Sequence, residues 1–178
     1  MIITKIKDIQ PVMNSLVIFD RDGTLSEDHG AMTGLSECTI LPKVFSGLRT
    51  ILSPVISFAI ATNQSYIGRG VLELKDVEEF NNKLLNLLKT VEVEINYIAI
   101  CPHTPEDNCL CRKPKPGMIN ELVRLSGIEN KDRIFFIGDK ESDQQAAMDA
   151  GITSMNLEKM DFEEACKSIS EKLNLDEK

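Results

Sequence analysis

Long apolar runs are missing from this sequence of 178 residues. No stretch approaches the roughly 20 residues that a membrane-spanning helix requires. The first ten residues, MIITKIKDIQ, also lack the uninterrupted apolar segment of a signal peptide. We therefore expect a protein of the cytoplasm that has no membrane partner.

Positive charge is scarce as well. The chain has 20 lysine and arginine residues against 28 aspartate and glutamate residues, so its net charge is −8. A non-specific binder of nucleic acid or of a membrane surface needs a cationic face, and this balance disfavours one. Internal repeats, low-complexity segments and linkers are also absent. We predict one domain over residues 1–178, with a short extension at 1–14, acting as a monomer without nucleic acid.

Short apolar runs alternate with segments of helical periodicity along most of the chain. The amphipathic segments 75–89 and 118–125 predict helices, and residues 2–6 could form an edge strand. Such alternation indicates an α/β fold with a doubly wound, Rossmann-like parallel sheet, whose ligands bind beyond the carboxyl ends of the strands. The turn-rich stretch 25–42 is predicted to be a loop over those ends. Strands are predicted at 16–20, 55–61, 95–100, 133–137 and 152–157, and the nearly continuous apolar run at 55–61 indicates a strand covered on both faces.

The segment FDRDGT at 19–24 follows the first core strand. Asp20 and Asp22 stand two positions apart where the buried strand passes into a Gly-Thr turn. Both carboxylates can therefore enter the crevice beyond the sheet, and a strand-end aspartate suits a nucleophile or a metal ligand. The alternative is an ordinary strand followed by an Asp-Gly turn.

Polar residues follow the other predicted strands too. The segment TNQS at 62–65 ends the second strand, and Asp139 and Lys140 follow the fourth. Arg112 and Lys113 follow the third strand, between prolines that stiffen the chain. Taken singly, the segment 62–65 can also be a turn whose polar residues have no function. The segment with Arg112 and Lys113 can likewise be an ordinary basic tract. Together at one sheet edge, they suit an anion such as phosphate.

Parallel strands would bring Asp20, Asp22 and Asp139 close to Thr62 and Lys113. Three carboxylates repel each other unless a cation neutralises them, and hard oxygen ligands select Mg²⁺. An aspartate held near phosphorus, with a lysine and a threonine taking up charge, is arranged for in-line phosphoryl transfer to the protein. A second aspartate can protonate the leaving oxygen and later deprotonate water.

Three of the five cysteines crowd into the segment 101–111 together with one of the two histidines. The pattern is Cys-x-His followed by Cys-x-Cys, with five residues between the pairs. Two close pairs joined by a short loop can hold one Zn²⁺ in a closed structural site. The alternative is a set of buried or disulfide-bonded cysteines. Cys38 and Cys166, far away in sequence, are predicted to be ordinary core or surface residues.

Together these motifs resemble the four signatures of the haloacid dehalogenase superfamily of phosphatases: DRDGT, TNQ, a lysine after the third strand, and GDKESD. Within it, DRDGT…DHG, TNQSYIGRG, CPH…CLCRKPKPGM and GDK are most similar to the bacterial D-glycero-D-manno-heptose 1,7-bisphosphate phosphatases. The histidinol-phosphate phosphatase domain shares the zinc loop. The resemblance runs from about Leu16 to Gly151. It implies a small-molecule sugar phosphate substrate, Mg²⁺ and structural Zn²⁺ as cofactors, an aspartyl-phosphate intermediate and no large cap domain.

The resemblance also implies a role for each matching residue. Asp20 would be the nucleophile and Asp22 the general acid and base, with Thr62 and Lys113 stabilising the phosphoryl group. Mg²⁺ would be held by the carboxylates of Asp20 and Asp139 and the backbone carbonyl of Asp22. The zinc ligands would be Cys101, His103, Cys109 and Cys111. The substrate residues would be Asp28, His29, Gly30, Asn63, Gln64, Ser65, Arg112 and Lys140.

Three departures from the heptose enzymes leave alternatives open. Tyr66 stands where those enzymes usually have glycine, Ala31 stands where they usually have an aromatic residue, and the zinc loop is as short as in histidinol-phosphate enzymes. Histidinol phosphate is therefore the alternative substrate. A DNA 3′-phosphatase shares DxDGT and TNQ…GRG, but the acidic balance, the lack of Trp and the zinc loop argue against it. A non-catalytic zinc-stabilised binding module is the alternative that is not an enzyme.

Overall fold

The computed structural model describes residues 1–28, 30 and 38–175. The predicted substrate residue His29, and Ala31, lie outside the described residues. The strands in the described part are β1 (Ile2–Lys5), β2 (Ser15–Phe19), β3 (Ile56–Asn63), β4 (Ile95–Cys101), β5 (Ile134–Gly138) and β6 (Thr153–Asn156). The helices there are α1 (Val44–Thr50), α2 (Ser65–Gly68), α3 (Leu74–Lys89), α4 (Gly117–Ser126), α5 (Glu141–Ala150) and α6 (Phe162–Leu173). Within these ranges, no helix is long and apolar enough to cross a membrane.

The strands form one sheet in the order β1-β4-β3-β2-β5-β6. Strands β2 to β6 are parallel, and β1 pairs antiparallel with β4 at one edge. After β2 the chain builds β3 and β4 on one side, and then crosses to the other side for β5 and β6. The carboxyl end of β2 therefore lies at the switch point of the sheet, where a crevice opens. The predicted doubly wound sheet is confirmed.

The sheet is covered on both faces, which explains the unbroken apolar run of β2. Successive side chains of a strand point to opposite faces. Val17 and Phe19 belong to the core layer that includes α1, α3 and α6, whereas Leu16 and Ile18 belong to the layer with α4 and α5. All four are at most 1% exposed. This double packing gives the residue after β2, Asp20, a rigid support.

Two details differ from the sequence predictions. Strand β3 continues past Ala61, so Thr62 and Asn63 belong to the sheet and pair with Ile100 and Cys101 of β4. The short helix α2 follows at once, and its four residues are too few to show helical periodicity. Thr62 is consequently fixed by strand pairing and is 1% exposed.

The extension that precedes β2 also has a structural role. Its residues Ile2–Lys5 cover β4 as an edge strand, as the sequence predicted. An unpaired β4 would expose backbone groups to pairing with other chains, and β1 takes up those groups. The single-domain boundaries 1–178 and the limits of the extension stay predictions.

Candidate active site

The predicted catalytic residues converge at the carboxyl ends of β2, β3 and β4. They border a cleft of about 510 Å³, a volume within the usual range for small-molecule sites. All catalytic and substrate residues predicted within the described ranges line this cleft, and Tyr66, Ser142 and Asp143 join them. The lining consists of Asp20, Asp22, Asp28, Gly30, Thr62, Asn63, Gln64, Ser65, Tyr66, Pro105, Arg112, Lys113, Pro114, Lys140, Ser142 and Asp143.

A buried ion pair joins Asp20 to Lys113 at the floor of the cleft. Nζ of Lys113 donates to Oδ1 of Asp20 at 2.7 Å and to the carbonyl of Ala61 at 2.8 Å, and both charged residues are 4% exposed. Burial raises the pKa of Asp20 to about 6, against the opposing effect of Lys113. Burial alone would lower the pKa of Lys113, but the carboxylates of Asp20 and Asp143 outweigh it and raise that pKa. Lys113 therefore carries its charge at neutral pH.

Asp143 is a site residue that the sequence analysis did not single out, although it is the last residue of the motif GDKESD. Its Oδ1 lies 2.7 Å from Nζ of Lys113, and the side chain is fully buried. Its Oδ2 accepts the backbone N–H of Lys140 at 3.1 Å, which turns the carboxylate back toward the end of β5. A Cβ at Gly138 would lie 2.5 Å from Oδ2 of Asp143, so the last residue of β5 must be glycine. The short spacing between Asp139 and Asp143 in the sequence was the signal that could have indicated that both belong to the site.

Carboxylate oxygens of Asp20, Asp139 and Asp143 lie within 4.8 Å of one another. Burial raises the pKa of Asp139, whose Oδ1 accepts a hydrogen bond from Thr24 at 3.2 Å. Gly23 has φ +84°, and a Cβ there would lie 2.3 Å from Oδ2 of Asp139, so glycine permits this close approach. Two of these carboxylates, those of Asp20 and Asp143, pair with Lys113, so the cluster keeps negative charge that a divalent cation would offset. The donor set therefore fits an oxygen-preferring metal ion.

The carboxylate of Asp22 is held by neighbouring side chains. Arg21 donates to both of its oxygens, and Nε2 of Gln64 donates to its Oδ2 at 2.7 Å. The same Gln64 nitrogen lies 2.8 Å from Oγ1 of Thr62. Gln64 therefore links the predicted acid–base residue to the predicted phosphoryl-binding threonine. The predicted metal contact of the Asp22 backbone carbonyl stays a prediction.

Charged side chains occupy the mouth of the cleft. Lys140 pairs with Asp28 at 2.9 Å, and Asp28 also accepts the backbone N–H of Gly30 at 3.0 Å. The hydrogen bond from Lys140 lowers the pKa of Asp28. Nη1 of Arg112 donates to the carbonyl of His103 at 3.2 Å, which ties this cation to the cysteine-rich loop. Lys140 and Arg112 thus place positive charge around the entrance.

The cysteine-rich loop brings its four predicted ligands together. The distances among Sγ of Cys101, Cys109 and Cys111 are 3.5–3.6 Å, and Nδ1 of His103 lies 3.6 Å from Cys101 and 3.4 Å from Cys111. Ligands of one tetrahedral zinc ion would stand about 3.7 Å apart, so the cluster can hold a metal ion. All five cysteines are free, and the disulfide alternative is therefore wrong.

Residues 15–176 match the family described as polynucleotide kinase 3 phosphatase. The chain belongs to this family. Its membership confirms the resemblance to phosphatases of the haloacid dehalogenase superfamily, and the chain is therefore a phosphatase with the fold that the motifs implied.

Curated relatives are similar to this protein over most of the chain. The D-glycero-beta-D-manno-heptose-1,7-bisphosphate 7-phosphatase of Helicobacter pylori (strain J99) is 36% identical over 140 residues, which are 78% of this chain and 80% of that protein. The histidine biosynthesis bifunctional protein HisB of Legionella pneumophila (strain Lens) is 30% identical over 149 residues. That match covers 83% of this chain and 42% of HisB.

A solved structure of a similar phosphatase shares the architecture of most of the chain. It is the crystal structure of D,D-heptose 1.7-bisphosphate phosphatase from B. bronchiseptica complexed with magnesium and phosphate. The TM-score is 0.80 at 25% sequence identity, over 89% of this chain and 99% of that one. The match leaves little of that enzyme outside the shared fold.

Proposed function

We propose that this phosphatase removes the 7-phosphate of D-glycero-D-manno-heptose 1,7-bisphosphate in the cytoplasm. One observation carries the proposal: the cleft has the carboxylates of Asp20 and Asp143 at its floor and two cations, Lys140 and Arg112, at its mouth. A substrate with two phosphates matches this arrangement, since one phosphate can react at the floor while the other meets the cations. The similar heptose enzymes support the same substrate.

The chemistry would begin with attack by Asp20. Lys113 holds Oδ1 of this carboxylate, which leaves Oδ2 to form the bond to phosphorus. As that bond forms, the bond from phosphorus to the sugar oxygen breaks, and Asp22 gives the leaving oxygen a proton. Asp22 then accepts a proton from water, whose oxygen attacks phosphorus and releases phosphate from Asp20. Thr62 and Lys113 would stabilise charge on the transferring group.

The acidic floor is proposed to hold Mg²⁺, with Asp20 and Asp139 as ligands and Asp143 beside them. The fit rests on the three converging carboxylates and on the space that Gly23 leaves for Asp139. When bound, the ion would offset the negative charge of these carboxylates and of the phosphate. Asp143 would meanwhile keep Lys113 in place.

The cysteine-rich loop is proposed to hold a structural Zn²⁺ through Cys101, His103, Cys109 and Cys111. Four protein ligands fill a tetrahedron and leave no open position for catalysis. The last ligand directly precedes Arg112 and Lys113 in the chain. The ion would therefore act by fixing the loop that brings both cations to the cleft.

Histidinol phosphate is the second candidate substrate. The similarity to HisB and the short zinc loop favour it, and Tyr66 at the cleft distinguishes this chain from the usual heptose pattern. The chemistry at the floor would be unchanged, because only the groups around the rest of the substrate differ. A substrate comparison therefore decides between the two.

The test is phosphate release with Mg²⁺ from three substrates: the heptose bisphosphate, histidinol phosphate and a 3′-phosphorylated oligonucleotide. We expect the highest kcat/KM for the heptose bisphosphate, and no release by a folded Asp20→Asn variant. Equal or reversed preference would overturn the heptose assignment, and preference for the oligonucleotide would make the protein a DNA 3′-phosphatase. Absence of phosphate release from all three substrates would overturn the proposed function and favour a non-catalytic binding module. The protein is also proposed to be a monomer, which sedimentation velocity tests.

A further inference from the structure

We infer that Arg21 is a positioning residue that orients the carboxyl group of Asp22 for proton transfer. The inference rests on the proposed function, because it assumes that Asp22 is the acid and base. Arg21 stands between the two aspartates of the DRDGT motif, yet it is 1% exposed and does not line the cleft. A buried guanidinium must be paired, since an unpaired buried charge is strongly unfavourable.

The pairing partner of Arg21 is the neighbouring carboxylate. Nε lies 3.0 Å from Oδ1 of Asp22, and Nη2 lies 2.9 Å from Oδ2. Two parallel bonds from a planar fork fix the plane of the carboxylate as well as its position. A single donor would leave the carboxylate free to rotate about its bond to Cβ. The arginine therefore determines which way the oxygens of Asp22 face.

Arg21 is in turn held by α3. Its Nη1 donates to Oδ1 of Asn81 at 2.9 Å, and its Cζ lies 4.5 Å from the centre of the Phe80 ring. Both partners are buried, and the helix packs against the sheet core through residues such as Val77 and Leu84. A cation over an aromatic face gains stability when it is removed from water. The orientation of Asp22 is thus tied to a rigid helix outside the cleft.

The bonds to Asp22 distinguish its two oxygens. Among the described residues, Oδ2 accepts two hydrogen bonds, from Arg21 and from Gln64, whereas Oδ1 accepts one, from Arg21. The oxygen with fewer donors has more capacity left for a proton, so Oδ1 would exchange the proton with the leaving oxygen. Asp22 is 17% exposed at its side chain, which leaves it accessible from the cleft.

A role in stability alone would have a different kinetic signature. Loss of a proton donor slows the departure of a sugar alkoxide, which needs a proton, but scarcely affects p-nitrophenolate, which leaves without one. General deformation of the site slows both. The value of kcat/KM includes only the steps through formation of the aspartyl-phosphate, so it isolates the step in which Asp22 acts as an acid.

The experiment compares kcat/KM for the heptose bisphosphate and for p-nitrophenyl phosphate, with Mg²⁺, in the wild type and in Arg21→Lys. Lysine keeps the charge but cannot bind both oxygens in the same fixed geometry. We expect at least about a tenfold loss for the sugar substrate, a part of the 10²- to 10⁴-fold that general acid–base catalysis contributes. The loss for the aryl substrate should be less than about threefold. Equal losses, or no loss for the sugar phosphate, would overturn the inference.

Two further variants keep the outcome decisive. Asn81→Ala removes a partner of Arg21 without touching the cleft, and it should show the same selective loss to a smaller degree. If Arg21→Lys does not fold, Asn81→Ala tests the inference through the same comparison of the losses in kcat/KM for the two substrates. Asp22→Asn should show the largest selective loss. If Asp22→Asn shows no selective loss, the proposed acid–base role of Asp22 is wrong. If Asp22→Asn shows the selective loss but the Arg21 and Asn81 variants do not, only the positioning role of Arg21 is wrong.

Discussion

The side chain of Asn63 and the backbone of Lys113 exchange two hydrogen bonds. Nδ2 of Asn63 donates to the Lys113 carbonyl at 3.1 Å, and Oδ1 accepts the Lys113 N–H at 3.2 Å. Asn63 ends β3, so the sheet holds the loop after β4 directly at the residue that pairs with Asp20. Asn63 was predicted to bind substrate, and that stays a prediction. The observed bonds add a role in placing Lys113.

Asn63→Ala should therefore lower kcat by about tenfold or more with little change in KM. Loss of two partly buried hydrogen bonds should also lower the free energy of unfolding by about 1–2 kcal/mol. Steady-state kinetics and urea denaturation measure the two effects. The matched control is Asn82→Ala, an exposed asparagine on α3. An increase in KM at constant kcat would instead indicate that Asn63 acts mainly on the substrate.

Asp143→Asn should reduce both activity and stability. The substitution removes one of the two carboxylates that pair with Lys113 and leaves the buried lysine with Asp20 alone. We expect kcat to fall by at least about tenfold and the free energy of unfolding to fall by about 1–3 kcal/mol. Asp149→Asn, at an exposed position of the same helix, is the control. Wild-type kinetics in Asp143→Asn would contradict the role of Asp143 in holding Lys113.

Loss of the metal from the cysteine-rich loop should lower stability and activity together. Cys109→Ser removes one of four ligands, so the loop that carries Arg112 and Lys113 would lose its constraint. We expect a lower Tm, less than one zinc ion per chain by elemental analysis, and reduced kcat. Cys38→Ser, which is outside the cluster, should behave like the wild type. An unchanged Tm in Cys109→Ser would show that the loop is ordered without the ion.

Lys140→Ala should weaken binding of a substrate that carries a second phosphate. Because Lys140 lies at the mouth of the cleft, we expect KM for the heptose 1,7-bisphosphate to rise about tenfold, or about 1.4 kcal/mol, with little change for the 7-monophosphate. Its ion pair with Asp28 is about half exposed, so Tm should hardly change. Lys89→Ala, on the exposed end of α3, is the control. An equal rise for both substrates would show that Lys140 does not recognise the second phosphate.

Much of this site could be predicted from the sequence because its signals are local. The apolar runs mark strands that are buried on both faces, and the residues just after them, Asp20 and Asp139, reach the same edge of the sheet for geometric reasons. The Cys-x-His and Cys-x-Cys pairs likewise determine which four side chains can surround one ion. These features follow from chain connectivity and strand direction. They predicted where the cleft lies and that Asp20, Asp139 and Lys113 come together there.

The partners of those residues, by contrast, follow only from the tertiary structure. Asn63 contacts the backbone of Lys113, fifty positions along the chain, and Asn81 contacts Arg21 from sixty positions away. Asp143 turns back to Lys113 because Gly138 leaves room for its carboxylate. No periodicity or spacing encodes such contacts, because each depends on how helices pack onto the sheet. The sequence therefore determined which groups can react, and packing determined which groups hold them in place.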